Sequence, residues 1–162
     1  MNIHSAVIEG TNILKNESIL SAQLDTEILL AKALNKNREY IILNHDEVLN
    51  IENFEYFKKL VLERATRKPI AYLLNKKLFW KSEFYVNQNT LIPRPDTEII
   101  VEQILKVVKH KNYLKILDIG VGSGCILLSI LKEKKNFYGT GIDISKNSLE
   151  ISRLNAKKLL VD

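Results

Sequence analysis

A chain of 162 residues, 46% apolar and 27% charged, is long enough to bury a sizeable core and too apolar for a disordered tail. No apolar run approaches the roughly 18 residues that cross a bilayer, and Met1-Asn-Ile-His-Ser lacks the basic start of a secretory signal, so a cytoplasmic protein without membrane contact is expected. The single cysteine, Cys125, excludes an intrachain disulfide, and the net charge of +5 is scattered enough to describe a solvated surface as well as a phosphate-rich partner.

From Ile3 to about Leu74 the apolar residues recur at helical spacing, with Leu24, Ile28 and Ala31 marking one helix face and Ile51, Phe54, Phe57 and Val61 another. Ser21 and Asn50 are the expected N-caps. Residues 1–75 therefore read as a helical domain. Aromatic and β-branched residues from Leu78 to Val86, turning around Lys81-Ser-Glu83, predict a hairpin within a linker over residues 76–95, with Phe79 and Trp80 in its core. Beyond it Asp96 or Thr97 is placed to cap a helix whose inner face is Ile100, Ile104 and Val107 or Val108, and Pro95 stops that helix from extending backwards.

Residues 96–162 continue as strand, loop, helix, strand and helix, an alternation that implies a parallel sheet and an α/β class. The apolar run Tyr113–Leu117 feeds Asp118-Ile-Gly-Val-Gly-Ser-Gly124, and a helix is expected from Ser123 to Lys134. A strand that turns through glycines into a helix presents backbone N–H groups to a ligand, so these groups are expected to be bare. The spelling is G-x-G-x-G, and Cys125 stands where the dinucleotide fingerprint needs its third glycine, which disfavours a pyrophosphate clamp.

The next strand, Phe137-Tyr-Gly-Thr-Gly-Ile-Asp143, ends in an acid that can accept from both hydroxyls of a ribose, so an adenosine cofactor is expected. The candidate cofactor-binding set is Asp118, Gly120, Val121, Gly122, Ser123, Gly124 and Asp143. Each has a structural alternative: Gly120 can serve a tight turn, Gly124 can let helix and strand pack closely, and Asp118 can cap the turn by hydrogen bonds to backbone. A last helix, Ser145–Leu160, is expected to be capped by Ser145.

The other chemistry-bearing residues read as structural. Cys125 sits at a small-residue position facing the core, without a histidine close behind it to act as base. His4, His45 and His110 have no metal-ligand spacing and are expected at surfaces, so no metal is assigned. Arg94, rigidly placed between two prolines, is expected to anchor the linker to the following domain or to meet substrate.

Leu91-Ile-Pro-Arg-Pro-Asp-Thr-Glu98, followed by Ile99-Ile-Val-Glu102, resembles the L-I-P-R-P-[ED]-T-E-x-L-V-E signature of the release-factor glutamine methyltransferases, the HemK family. Arg67-Lys-Pro-Ile-Ala-Tyr-Leu73, Leu78-Phe-Trp80 with Phe84-Tyr-Val86, Ser21–Leu30 and Ile116–Cys125 are similar to further motifs of that family, so the resemblance spans essentially the whole chain. It implies a helical domain that docks peptide-chain release factors, a hairpin linker, and the first two strands of a Rossmann-like S-adenosylmethionine methyltransferase sheet. The implied reaction is N5-methylation of the glutamine in the Gly-Gly-Gln motif, without sequence-specific nucleic-acid binding.

Three departures stand out. Lys68 and Asn75 replace glycines usual in the family, the second mildly because asparagine tolerates left-handed geometry. The family's Asn-Pro-Pro-Tyr motif is absent, since the only prolines are Pro69, Pro93 and Pro95. In the family that motif accepts both N–H bonds of the substrate amide and points its nitrogen at the methyl group, a positioning effect of a kind that supplies on the order of 7–11 kcal/mol. No catalytic residue is therefore assigned. The chain is expected to be an inactive fragment with an incomplete sheet whose strands lack cover and neighbours. A nucleic-acid adenine N6-methyltransferase and a non-catalytic binding module are the alternatives.

Overall fold

The computed structural model describes residues 1–161, which form eight α-helices and four β-strands in two compact units, residues 1–74 and 75–161. The first unit is all helix: α1 (Ile3–Asn16), α2 (Ala22–Leu34), α3 (Arg38–Leu43), α4 (Ile51–Ala65) and α5 (Ile70–Leu74). Asparagine starts three of them. The side chains of Asn2, Asn37 and Asn50 accept the backbone N–H of Ser5, Tyr40 and Asn53, satisfying donors that have no partner inside the helix. Ser21 holds the N-cap position of α2 but makes no cap; its hydroxyl donates to Asp25 Oδ2 at 2.9 Å instead.

The expected inner face of α2 is corrected. Ala31 is buried as expected, but Leu24 is 43% exposed and Ile28 half-buried, whereas Ala22, Thr26, Leu29, Leu30 and Ala33 are buried. The reason is that α2 packs against α1, α3, α4 and α5 at once, so a single apolar stripe does not describe it. Being enclosed, it also buries two acids, and each is paired. Asp25 meets Arg64 of α4 at 2.7 Å and Glu27 meets Arg38 of α3 at 2.7 Å. Ile51 is likewise exposed, while Phe57 and Val61 enter the core with Ile3, Leu14, Leu29, Leu30 and Ile41. The left-handed residue near the start of α5 is Arg67, at φ 67°, rather than Lys68.

The second unit begins with a hairpin of β1 (Lys77–Phe79) and β2 (Ser82–Phe84), in which Phe79 is paired with Ser82. Asn75, at φ 55°, takes the left-handed geometry expected of it. The turn is Trp80-Lys81, shifted from the expected Lys81–Glu83, and Trp80 is half-buried in the turn at φ 53° instead of lying in the core. Its strained position is held by two bonds: its backbone N–H donates to Glu98 Oε1 at 2.9 Å and its indole N–H to Glu133 Oε1 at 3.0 Å. Phe79 and Phe84 do form core, edge to face with centroids 6.1 Å apart.

After a 3-10 turn at Pro95–Thr97 comes α6 (Glu98–Val107), and Thr97 at its N-cap makes no side-chain cap. Its buried face is Val101 with Val108 just beyond, supported by Ile104 and Leu105; Ile104 and Val108 lie as expected, while Ile100 and the alternative Val107 point to solvent and Val101 takes the inner position instead. Then β3 (Lys115–Ile119), α7 (Cys125–Glu133), β4 (Tyr138–Ile142) and α8 (Lys146–Leu159) complete the unit. Ser145 caps α8 by accepting from Ser148 N–H at 3.2 Å. β3 and β4 pair in parallel from Lys115 opposite Tyr138 to Ile119 opposite Ile142, which brings the two strand ends side by side.

Candidate functional site

Everything singled out between Asp118 and Asp143 converges on the C-terminal ends of β3 and β4. Gly120, Gly122 and Gly124 all have positive φ, at 86°, 54° and 81°, a region that other residues enter only under strain. Their surroundings separate two roles. A Cβ on Gly124 would sit 2.8 Å from Leu128 Cδ1, so this glycine serves close packing. A Cβ on Gly120 meets nothing within 4 Å, and one on Gly122 meets only the Gly120 carbonyl at 3.9 Å, so both leave open space beside the backbone.

The loop is not bare, which corrects the expectation for its N–H groups. Gly120 and Val121 donate to the Ile142 carbonyl at 2.8 and 3.0 Å, Gly124 donates to Val121 O at 2.8 Å, and Gly122 donates to Asp143 Oδ2 at 2.9 Å. The protein itself thus fixes the loop against the end of β4. Asp143 is the pin: its Oδ1 accepts from Ser145 N–H at 2.9 Å while Oδ2 holds Gly122. These two backbone bonds, Ser145 first and Gly122 second, favour the charged carboxylate and lower its pKa. Each oxygen still has a lone pair for a ligand.

Asp118 behaves oppositely. It is half-buried on β3, its side chain makes no hydrogen bond among the described residues, and burial, followed by the charge of Asp143, raises its pKa. The turn-capping alternative therefore fails for Asp118, which keeps its acceptors free. Ser123 is buried, and Cys125 is half-buried with its thiol pKa pushed up by burial, the wrong direction for a nucleophile.

Three supporting residues escaped the sequence reading. Gly139 and Gly141 lie two apart on one side of β4, where a Cβ would come within 2.7 Å of Leu131 Cδ1 and of Val121 Cγ2 respectively; the strand lacks side chains there so that α7 and the loop can lie against it. Only the alternation G-x-G within a strand signalled this. Asn155 of α8 is completely buried, exchanges two hydrogen bonds with the backbone of Tyr85, and donates to the Ser123 carbonyl at 2.8 Å. A polar residue within a helix gives no such warning.

A cavity of about 430 Å3 touches the loop at Val121 and Gly124 but is walled by Leu127, Leu128, Leu131 and Leu149, and neither Asp118 nor Asp143 lines it. The candidate carboxylates Asp118 and Asp143 stand at the strand ends rather than in that apolar space. Arg94 is exposed and forms no ion pair among the described residues, so the expected anchor is not made. His4, His45 and His110 are exposed, and no group of side chains suited to a metal ion occurs among the described residues. No described helix is long and apolar enough to cross a membrane.

The first unit coincides with a known family: residues 5–74 match the model of the PrmC N-terminal domain. These residues belong to the PrmC N-terminal domain family. The similarity runs on past this PrmC domain through the strand ends. The chain is 42% identical over 153 residues to a release factor glutamine methyltransferase of Leptospira interrogans, covering 94% of this chain and 54% of the relative. One of Shewanella oneidensis is 37% identical over 88% of the chain and 49% of its own length. A bifunctional methyltransferase of Rickettsia felis is 35% identical, with 97% and 35% covered. Beginning with its PrmC domain, the chain spans about half the length of the release factor glutamine methyltransferases it matches.

Proposed function

We propose that this chain supplies the docking domain and the cofactor-binding start of an S-adenosylmethionine-dependent methyltransferase that methylates the glutamine of the Gly-Gly-Gln motif in peptide-chain release factors. The observation that carries the cofactor part is the pairing of open space over Gly120 and Gly122 with a carboxylate, Asp143, fixed beside them at the end of the neighbouring strand. Backbone without side chains admits the methionine portion closely, and Asp143 has lone pairs left for ribose hydroxyls. Val121, Ser123 and Gly124 shape the loop around these contacts. The β3–β4 pair with its helices is the start of a Rossmann-like sheet.

When bound, the cofactor supplies an electrophilic methyl group on a positively charged sulfonium. The residues of this chain bind and orient it: the loop sets the distance of approach, and the free carboxylate of Asp118 faces a ligand that carries positive charge. The acceptors that would aim a substrate amide at the methyl group are absent from this sequence, which has no Pro-Pro pair. The 162-residue chain by itself is therefore expected to transfer no methyl group.

Incubation of the purified chain and a release factor with methyl-labelled S-adenosylmethionine tests the second statement, and label on the glutamine would refute it. Amide chemical shifts during titration with the same cofactor test the first. Shifts confined to Gly120–Gly124 and Asp143 support the site; none at saturating cofactor would remove it.

A further inference from the structure

The positive charge that is scattered along the sequence gathers at one end of the second unit. The stretches 106–115 and 132–135 carry seven lysines, a histidine and a single acid, enough to account for the whole net charge of +5. They meet where α6 and α7 end. Lys134 Nζ donates to the Lys109 carbonyl at 3.1 Å, and a cleft of about 370 Å3 opens between Lys111 and Asn112 on one side and the run from Lys132 to Phe137 on the other. The single acid does not balance the lysines, because Glu133 Oε1 already takes Lys81 at 2.6 Å and the Trp80 indole N–H at 3.0 Å.

Helix ends explain only part of this cluster. Cations complement the helix dipole within the last turn, where Lys106 and Lys132 stand. Lys109, Lys111 and Lys135 lie beyond the helices, are exposed, and form no ion pair among the described residues. Like charges gathered in this way repel one another, and a multivalent anion relieves the repulsion.

Two aromatic rings adjoin the cleft. Tyr113 follows Asn112 and Tyr138 follows Phe137; they are 55% and 64% exposed, with ring centroids 5.6 Å apart, and Tyr138 lies opposite Lys115 in the register of β3 and β4. The residue types separate the possible anions. Carboxylates are matched best by the planar fork of arginine, and neither basic stretch contains one, whereas lysine is a point charge suited to phosphate. Exposed rings beside lysines are a surface on which bases stack. An acidic protein would use the charge and leave the rings idle.

We propose that this end of the second unit binds single-stranded nucleic acid without reading its sequence, phosphates meeting Lys109, Lys111 and Lys135 while a base stacks on Tyr113. Phosphate contacts and stacking are both tolerant of sequence. The surface stands at the beginnings of β3 and β4, whereas the glycine loop and Asp143 stand at their ends, roughly 13 Å away along the strand. The nucleic acid is therefore a tether and not a methyl acceptor, and its binding does not depend on the function proposed above.

Fluorescence anisotropy of labelled oligouridylate and its deoxy counterpart, each of about 12 nucleotides, titrated with the 162-residue chain over a range of salt concentrations, tests this. The logarithm of affinity should fall linearly with the logarithm of salt. Lys111→Gln combined with Lys135→Gln should make that slope shallower by about 1.4, about 0.7 for each lost phosphate contact, whereas Lys58→Gln combined with Lys59→Gln, an equal loss of charge on exposed positions of α4, should leave it unchanged. Tyr113→Ala should weaken binding about fivefold or more at every salt concentration without moving the slope. All the substituted positions are exposed, so each variant should melt with the parent. Binding of both oligonucleotides supports the shared contacts, and a preference for the ribose form would add one to the 2′-hydroxyl. An equal change of slope in the α4 variant would mean that binding follows net charge alone. No binding at low salt, or unchanged affinity in Tyr113→Ala, would remove the nucleic acid from this surface. A release factor bound more weakly by the Lys111→Gln, Lys135→Gln variant while the oligonucleotides are bound as before would give the surface to an acidic protein. Each of these results overturns the proposal.

Discussion

Asp118 and Asp143 stand on the ends of paired strands and respond to pH in opposite directions. Asp143 is held below the usual aspartate range by the N–H groups of Ser145 and Gly122, so its contribution to stability is present above the unfolded-state value and is lost as pH falls through the folded one. Asp118 is raised by burial and by Asp143, so its contribution is present below the unfolded-state value and is lost as pH rises through the folded one. A carboxyl-carbon NMR titration should therefore show Asp143 titrating at lower pH than Asp118. In Asp143→Asn the midpoint of Asp118 should fall, yet stay above the ordinary value because burial is the larger cause. An unmoved Asp118 would mean that the two carboxylates do not sense each other. At this scale the glycines and Asp143 were legible in the sequence, because only glycine enters left-handed geometry freely and because an acid ends the second strand. The internal bonding of the loop was not, since a sequence shows which N–H groups a loop has but not where a strand end two dozen residues away places a carbonyl. Asn155 was illegible for a related reason: its partners, Tyr85 and Ser123, lie far from it along the chain.

Among the elements, α2 holds the first unit together by packing on four others, and its buried acids make that arrangement specific. Asp25 accepts from Arg64 Nε at 2.7 Å and from Ser21 Oγ at 2.9 Å, while another guanidinium nitrogen of Arg64 reaches the Lys68 carbonyl at 3.2 Å, so one side chain joins α2, α4 and the turn before α5. Arg64→Ala would leave Asp25 charged and almost enclosed. Breaking one side of a buried pair costs about 3–5 kcal/mol; Arg64 is 16% exposed and Ser21 still donates to Asp25, so a loss of about 3 kcal/mol is expected. Urea unfolding followed by helical circular dichroism measures it, and a loss below about 1 kcal/mol would reduce the pair to a surface contact. Helical spacing disclosed that these segments are helices and placed Ala31, Ile104 and Val108 inside, but it misplaced Leu24 on α2 and Ile100 on α6. A stripe argument assumes one buried side. α2 has several, and its partners tolerate Asp25 and Glu27 inside because arginines on α4 and α3 neutralise them. In α6 the real face, Val101 with Ile104, Leu105 and Val108, keeps Ile104 and Val108 of the expected one and replaces Ile100 by its neighbour Val101.

For the molecule as a whole, the two units differ in how completely their backbone is enclosed. The first surrounds its central helix and buries Leu29, Leu30 and Val61 completely. The second has a parallel pair in which both strands are edges, and one face carries Leu117 at 58%, Ile119 at 76% and Tyr138 at 64% exposure. Parallel strands ordinarily have helices over both faces, because their near-continuous apolar runs gain little from water-facing side chains. The class of the fold and the end of the helical unit near Leu74 were legible in the sequence, whereas the place of the hairpin in the second unit was not, because residues 77–84 read as a linker until Phe79 and Phe84 are seen in one core with Val101 and Leu128. Local stability follows buried contacts and hydrogen-bonded partners on both sides, so amide exchange should be slowest in α2 and α4 around Leu29 and Val61. The hydrogen-bonded amides of β3 around Leu117 should exchange at least tenfold faster, since opening them uncovers little apolar surface that is not already wet and breaks pairing with one neighbour only. Exchange measured on the monomeric chain at neutral pH decides this. Equal protection in β3 and α2 would mean that the parallel pair and its two helices are as cooperative as the helical unit, and the exposed face of Leu117 and Ile119 would then have to be covered in solution.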